Sequence, residues 1–181
     1  MNQPIGIAPA LRPEEAQERH TLSVLVDNEP GVLARVIGLF SGRGYNIDSL
    51  TVSETEHERS LSRITIVTTG TPMVVEQIKH QLARLVPVHR VADLTTDSRD
   101  AIERELALVK VSGRGEQRLE ALRLAQAFDA NTIDATLESF VFEVTGATAD
   151  IERFVRLMAS VGLVEVSRTG IAAITRGSEA T

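Results

Sequence analysis

The chain of 181 residues has room for one ordinary domain or two small ones, and its 43% hydrophobic and 24% charged residues are typical of a globular protein. It contains no cysteine, which excludes disulfides, a thiolate nucleophile and a cysteine-based zinc site. The net charge of −6 argues against a general binder of nucleic acids or membrane surfaces, because phosphate affinity comes chiefly from Lys and Arg.

Residues 1–19 are predicted to form a flexible tail. Glu14, Glu15 and Glu18 and scattered prolines stand where a signal peptide would carry basic and then apolar residues. No apolar run approaches the roughly 18–20 residues that span a bilayer. Together with the lack of cysteine, these features favour a cytoplasmic protein without a membrane partner.

Residues 20–96 predict one unit with the order strand, helix, strand, strand, helix, strand. The strands alternate apolar and polar residues, and the helices repeat apolar residues at spacings of three and four. The expected bounds are a strand at 22–26, a helix at 32–40, strands at 46–54 and 61–68, a helix from Pro72 to before Pro87, and a strand at 88–94. The inward side chains of the two middle strands are expected to be Leu50, Val52, Ile64 and Ile66.

The same order recurs after a polar linker at residues 97–104, which indicates an internal repeat of about 75 residues. The expected bounds are a strand at 106–111, a helix at 116–128, strands at 133–137 and 140–145, a helix at 148–161 and a last strand that begins at 163–167. Each copy has the βαββαβ order of a ferredoxin-like fold. The sequence therefore predicts an α+β protein with two such units in tandem, at 20–96 and 105–175, and a tail at 176–181. One face of each sheet would carry no helix, which favours partner contact or dimerisation.

The turn from Asp27 to Gly31, between the first strand and the first helix, is the most informative segment. The first N–H groups of a helix lack partners within it, and they attract anions such as a small carboxylate. Gly31 would let a ligand approach the backbone closely. Asn46, which follows the helix, could add a side-chain amide nearby. This combination predicts a pocket for a small amino acid.

A purely structural account of the same turn competes with this interpretation. Asn28 could cap the helix, Pro30 could open it, and Gly31 could relieve crowding. Asn46 would then be an ordinary turn residue. The combination of an open helix start, a glycine and a second amide favours ligand binding.

The sequence offers no candidate catalytic residue, metal site or resident cofactor site. The histidines His20, His57, His80 and His89 do not share metal-ligand spacing on any predicted face, and His57 is predicted in a solvated hairpin. Neither a nucleophile elbow nor a phosphate-binding loop is present. An alternative, a stand-alone enzyme on this scaffold, would need an activated acid, base or nucleophile.

A second alternative is an RNA-binding sheet. Phe140 and Phe142 resemble the paired aromatic residues on which such sheets stack bases. Their neighbours Glu138 and Glu143 are acidic, however, and two phenylalanines on one strand face usually belong to a core. We therefore expect no nucleic-acid partner.

Several stretches carry a resemblance to a known family, and the Arg43-Gly44-Tyr45-Asn46-Ile47 run is highly specific. The matching stretches are residues 20–36, 38–41, 43–52, 61–63, 104–111 and 167–170. Across residues 20–177 the chain resembles the regulatory (small) subunits of acetolactate synthase, also called acetohydroxyacid synthase. The resemblance implies an N-terminal ACT domain, a C-terminal domain of related fold, and no catalysis by this chain alone.

The resemblance also implies a partner, the large catalytic subunit. That subunit carries thiamine diphosphate, magnesium and FAD, and condenses pyruvate with pyruvate or 2-oxobutyrate. The small subunit would raise this activity and confer feedback inhibition by valine or another branched-chain amino acid.

The position of the effector follows from the same resemblance, between the ACT domains of a homodimer. The residues expected to contact it are Asn28, Gly31, Val32 and Leu33 of one chain and Asn46 and Ile47 of the other. The second predicted strand would lie at a sheet edge, so pairing across it could join two sheets. The equivalent turn of the second unit, residues 112–115, has neither asparagine nor proline, which argues against a second effector site there.

Overall fold

The computed structural model describes residues 16–56, 60–96 and 101–178. The first unit consists of β1 (Glu18–Asp27), α1 (Val32–Arg43), β2 (Ser49–Glu56), β3 (Leu61–Gly70), α2 (Pro72–Ala83) and β4 (Val88–Asp93). The second consists of β5 (Ile102–Ser112), α3 (Glu116–Ala127), β6 (Asn131–Ala135), β7 (Ser139–Gly146), α4 (Thr148–Ala159) and β8 (Leu163–Ile174). This order confirms the predicted α+β fold of two ferredoxin-like units in tandem.

Each unit contains one four-stranded antiparallel sheet. The strand orders are β2-β3-β1-β4 and β6-β7-β5-β8, so the second strand of each unit lies at a sheet edge. In the first sheet, Val24 of β1 stands opposite Ile64 of β3 and Val91 of β4. Because side chains opposite each other in a sheet share a face, this register gathers the apolar residues under the helices.

Local chemistry accounts for the helix ends. Gly44 ends α1 in the left-handed conformation, at φ 72°, and its N–H bonds the carbonyls of Phe40 and Ser41. Thr71 begins α2, since its side chain accepts a hydrogen bond from the amide of Val74. Pro72 occupies the first turn, where a missing N–H is tolerated, as the sequence predicted.

Each sheet packs against its own helices to form a separate core. The first core consists mainly of Val, Leu and Ile side chains around the single buried ring of Phe40. The second contains Phe140, Phe142 and Phe154, and the ring of Phe142 is fully buried. Phe140 and Phe142 are therefore core residues, so the stacking role considered for them is wrong.

The strands differ from the sequence expectations in detail. Val52 stands opposite the buried Ile64 and so takes the expected face, but it is 45% exposed, because β2 is an edge strand. The strand expected at 133–137 is β6, at Asn131–Ala135, because Thr136 and Ser139 hydrogen-bond each other and form the hairpin turn. The last strand begins at Leu163, as expected, and extends to Ile174.

The segment boundaries also differ from those expected. β1 begins at Glu18, inside the predicted tail, and β5 begins at Ile102, inside the predicted linker. Residues 1–15 of that tail, 97–100 of that linker and the hairpin residue His57 lie outside the described residues. Of the helices described, none is both long and apolar enough to cross a bilayer.

The helix-free faces of the two sheets have different environments. The long end of β8 packs on the first sheet, where Ile171 and Ala173 form a small cluster with Val67 and Leu94. That face, expected to carry no helix, is thus partly covered by a strand of the second unit. The corresponding face of the second sheet exposes Leu108 on β5.

Candidate effector site at the first strand–helix turn

The turn after β1 leads into α1 through Gly31, which has φ 86° and ψ −8°. A side chain rarely adopts this left-handed conformation, so the backbone requires glycine here. A Cβ at Gly31 would meet no atom within 4 Å, so the residue does not relieve crowding. Asn28 does not cap the helix, and Pro30 precedes the capping residue. The capping, opening and crowding roles of the structural account are therefore wrong.

The start of α1 differs from the other helix starts in the described residues. α2 has the side-chain cap of Thr71, and α3 and α4 carry Glu116 and Asp150 in their first turns. α1 has neither a side-chain cap nor an acidic residue in its first turn. Since either device would offset the positive end of the helix dipole, the start of α1 keeps its affinity for a negative group.

Main-chain bonds hold the turn in place and leave the side chain of Asn28 available. The amide of Asn28 donates to the carbonyl of Ser60 at 2.7 Å, and that of Asp27 donates to the carbonyl of Pro87 at 2.9 Å. The carboxylate of Asp27 lies 2.6 Å from the ring of His89. The exposed side chain of Asn28 makes no hydrogen bond to any residue in the described ranges.

The two expected main-chain donors are not equivalent. The amide of Val32 donates to the carbonyl of Glu29 at 3.3 Å, which is a long bond. Within the described chain, the amide of Leu33 has no main-chain acceptor outside the helix. Of these two donors, the amide of Leu33 is therefore the one without a main-chain partner in the described residues.

Asn46 and Ile47 lie at the opposite end of α1. The Asn46 side chain donates from Nδ2 to Oδ1 of Asp48 at 2.5 Å, and the Asn46 carbonyl accepts from Thr68 at 2.7 Å. The side chain of Ile47 packs against the first core. A helix of twelve residues spans about 18 Å, so Asn46 cannot join its own turn. The expectation that Asn46 lies near that turn in the same chain is wrong.

The corresponding turn of the second unit is filled by groups of the chain itself. The carbonyl of Glu138 accepts from the amide of Gly113 and the hydroxyl of Ser112, at 3.2 and 3.1 Å. The carboxylate of Glu138 forms an ion pair with Arg114. A Cβ at Gly113 would lie 3.1 Å from the side chain of Gln117, so this turn is also tightly packed.

The described residues contain no group of three His, Asp or Glu side chains that could hold a metal ion. His20 is buried and bonds Asp93 at 2.8 Å, which ties β1 to β4. This pair explains the burial of His20 without a catalytic role.

A cleft of about 530 Å³ lies between the two units. Sequence reasoning missed it, because the pattern did not show how far β8 extends. Arg168 of β8 lines the cleft and donates from Nε and Nη2 to both carboxylate oxygens of Glu105, at 2.6 and 2.7 Å. This hydrogen bonding raises the pKa of Arg168. Arg19, also in the cleft, pairs with Glu103 at 3.4 Å. Both arginines are thus already engaged with carboxylates.

Both units match models of known protein families. Residues 22–90 match the model of the AHAS small subunit-like ACT domain, and residues 104–177 match the small subunit of acetolactate synthase. A probable acetolactate synthase small subunit of Archaeoglobus fulgidus is 45% identical over 161 residues, which cover 89% of this chain and 99% of that protein. The acetolactate synthase isozyme 3 small subunit of Escherichia coli is 43% identical over 162 residues, which cover 89% and 98%.

The same family appears among solved structures. The crystal structure of the acetolactate synthase small subunit from Thermotoga maritima matches with a TM-score of 0.80 and 38% identity. The match covers 90% of this chain and 99% of that one, so it includes both units. The chain belongs to the family of acetolactate synthase small subunits.

Proposed function

We propose that this chain is a regulatory subunit without catalytic activity of its own. It activates a catalytic subunit of acetolactate synthase and makes that subunit sensitive to valine or another branched-chain amino acid. Thiamine diphosphate, magnesium and FAD belong to the catalytic subunit. Family membership supports the regulatory role, and we assign effector binding to the first unit, residues 20–96.

One observation carries the proposed effector site. Its candidate residues lie at the two ends of α1, so a single chain cannot bring Asn28 and Asn46 to one ligand. A second copy of the chain is needed to complete the site.

The edge strand β2 provides a way to bring the two halves together. β2 begins beside Asn46 and ends beside the turn that contains Asn28, since the amide of Asn28 bonds Ser60 at the start of β3. If two copies pair through β2 about a two-fold axis, their strands run antiparallel. The Asn46 end of one copy then lies at the Asn28 end of the other, which forms two equivalent sites.

Exposed apolar residues support this pairing of two β2 strands, which we call the seam. Val52 lies on β2 itself, and Leu33 lies in the first turn of α1. Both remain accessible in the single chain. Pairing across β2 would bury them, and burial of apolar surface is the main favourable term in association.

The donor and acceptor pattern suits a zwitterion. The ligand carboxylate accepts from the free amide of Leu33 at the start of α1. Nδ2 of Asn46 is engaged by Asp48, which leaves the Asn46 side-chain oxygen to accept from the ligand ammonium group. Asn28 supplies the remaining polar contact. Effector binding and the state of the catalytic subunit are then coupled by linkage, typically by about 1–3 kcal/mol.

Replacement of Asn28 tests this proposal. Because Asn28 does not cap α1, Asn28→Ala should leave the stability of the chain nearly unchanged. Loss of a hydrogen bond to a charged group should weaken valine binding by about 1.5–3 kcal/mol, or roughly 10- to 150-fold. Calorimetric titration with valine, leucine and isoleucine measures this effect and identifies the preferred effector.

The control is Asn131→Ala, which removes an exposed asparagine from the edge strand β6 of the second unit. In the reconstituted holoenzyme, Asn28→Ala should still activate the catalytic subunit while inhibition is lost. If activation disappears together with inhibition, the turn is structural. Acetolactate formation by the isolated chain would instead favour the alternative of a stand-alone enzyme.

A further inference from the structure

Strand β8 contacts β2 of the first unit at Gly170. Gly170 has φ 80°, and a Cβ there would lie 2.8 Å from Oγ of Ser49 and 2.7 Å from Oγ1 of Thr51. Any larger residue would strain its own backbone, and it would have to turn these hydroxyl groups aside or displace β2. Glycine therefore allows the two strands to touch.

A bulge in β8 produces this contact. Between the pairs Glu105–Ile171 and Ala107–Arg168, β8 carries one more residue than β5. Such an insertion bends the strand that holds it. The hydroxyl of Thr169 lies 3.2 Å from the amide of Leu106 and 3.3 Å from its carbonyl, so it satisfies the main chain at the interruption.

Both sides of the bulge are fixed. Before it, Arg168 holds the carboxylate of Glu105, whose side chain is only 5% exposed. After it, the amide of Ile171 donates to Oγ of Ser49 at 3.3 Å, and the Ile171 side chain is buried against Val67. A displacement of β2 therefore meets a packed and hydrogen-bonded element rather than a loose strand end.

The proposed effector residues lie directly before this contact in the sequence. Asn46 bonds the carboxylate of Asp48, and Ser49 is the next residue. A ligand that moves or holds Asn46 acts on the start of β2, three residues away from the strand contact. We propose that the β8 bulge at Thr169-Gly170 couples the effector site of the first unit to the position of the second unit. This inference rests on the proposed function.

The test compares Gly170→Ala with Gly177→Ala in the full chain. Gly177 also has a positive φ, of 93°, but a Cβ there would meet no atom within 4 Å, so the control isolates the contact from the backbone strain. Without effector, Gly170→Ala should speed hydrogen exchange of the amides of residues 49–52 several-fold. Gly177→Ala should not.

The second readout uses the holoenzyme. Gly170→Ala should bind valine within about threefold of the wild-type affinity, because Gly170 lies outside the proposed site. The valine concentration that half-inhibits the holoenzyme should rise by about 5- to 150-fold, which corresponds to loss of a typical coupling. Each variant is compared with its own uninhibited rate.

Ser49→Ala removes the hydrogen bond from Ile171 without backbone strain. It therefore tests the coupling between the two units if Gly170→Ala fails to fold. It should weaken inhibition in the same direction while valine binding persists. Wild-type inhibition in both variants, with unchanged exchange in β2, would overturn the inference. If the wild-type chain binds no branched-chain amino acid, the proposed function fails instead, and the exchange experiment still reports whether the bulge supports β2.

Discussion

At the turn after β1 the side chain of Asn28 makes no hydrogen bond within the described residues, whereas at the turn after β5 the side chains of Ser112 and Arg114 both bond Glu138. The two turns occupy the same place in the same fold. In both turns the first amide, that of Asn28 or of Gly113, donates to the carbonyl just before the neighbouring strand. The turns differ because the side chains of the second are also engaged within the chain. The fold thus supplies the position of the turn, while a few local side chains decide whether it stays open.

The two sheets repeat this contrast on a larger scale. The helix-free face of the first sheet is partly covered by Ile171 and Ala173 of β8, and that of the second has no such cover in the described chain. The second unit thus extends a strand, β8, over the first sheet, and within the described chain the first unit extends no strand over the second sheet. The open turn and the covered face both belong to the first unit.

The largest effect is expected at the packed turn. The amide of Ser112 donates to the carbonyl of Gly162, which has φ 101°, and a Cβ at Gly162 would overlap the carbonyl oxygen of Ser112. Gly162→Ala should therefore lower the free energy of unfolding by about 4 kcal/mol or more. Gly31→Ala adds backbone strain without a clash and should cost about 1–2 kcal/mol. Urea denaturation of both variants measures the difference, and equal losses would contradict it.

The next largest difference in the free energy of unfolding is expected between two ion pairs, one partly buried and one exposed. Glu105 is buried beneath Arg168, so Arg168→Ala leaves a carboxylate without its partner. We expect a loss of about 2–3 kcal/mol, below the value for a fully buried pair because the Arg168 side chain is 36% exposed. Arg114→Ala breaks the exposed pair with Glu138 at the second turn and should cost less than about 1 kcal/mol. The same denaturation experiment ranks the two; a larger loss for Arg114→Ala would reverse our interpretation.

The edge strands allow a test of the proposed seam. Val52 on β2 and Val164 on β8 are both exposed, at 45% and 60%. Val52→Lys should raise the dissociation constant of the dimer about 30-fold, since each copy loses about 1 kcal/mol of apolar burial. Val164→Lys should leave it unchanged. Sedimentation at several protein concentrations measures both, and equal weakening would place the seam elsewhere.

The smallest effect concerns the open face of the second sheet. The hydrogen bond and charge of Lys110 lower the pKa of the exposed Glu165 below its usual 4.5. Because folding lowers this pKa, the ion pair of Glu165 with Lys110 stabilises the fold above pH 4.5. This stabilisation is lost as the pH falls through the pKa of Glu165 in the folded state. Glu165→Gln should therefore reduce stability slightly at neutral pH and leave it unchanged in acid, below the pKa of Glu165. Thermal unfolding of both proteins at neutral and at acidic pH shows whether the loss of stability is confined to neutral pH.

The element order and both cores could be predicted from the sequence, because the spacing of apolar residues along one short segment indicates whether it is a helix or a strand and which face is buried. The stripes around Val36, Ile78 and Phe154 each predict one buried helix face, and all three residues are buried. The candidate site was only partly predictable. The chain pattern places Asn28 at an open helix start, but the separation of Asn46 depends on the length and direction of α1.

The extent of β8 was not predictable from local pattern. Residues 170–174 contain a glycine and two alanines and lack a strong alternation, so they resemble a strand end. They form a strand because Ile171 and Ala173 are buried by the other unit. The exposure of Val52 was missed for the converse reason, since alternation predicts which face a side chain takes but not whether anything covers it.

The bare start of α1 has a thermodynamic consequence. A missing cap typically weakens a helix by about 0.5–2 kcal/mol, and a bound carboxylate can supply the same hydrogen bonds. The first turn of α1 would then tighten as the amino acid accumulates and loosen as it is consumed. The order of this turn would then report the concentration of the amino acid, because α1 is the one helix in the described chain that lacks both a side-chain cap and a first-turn acid.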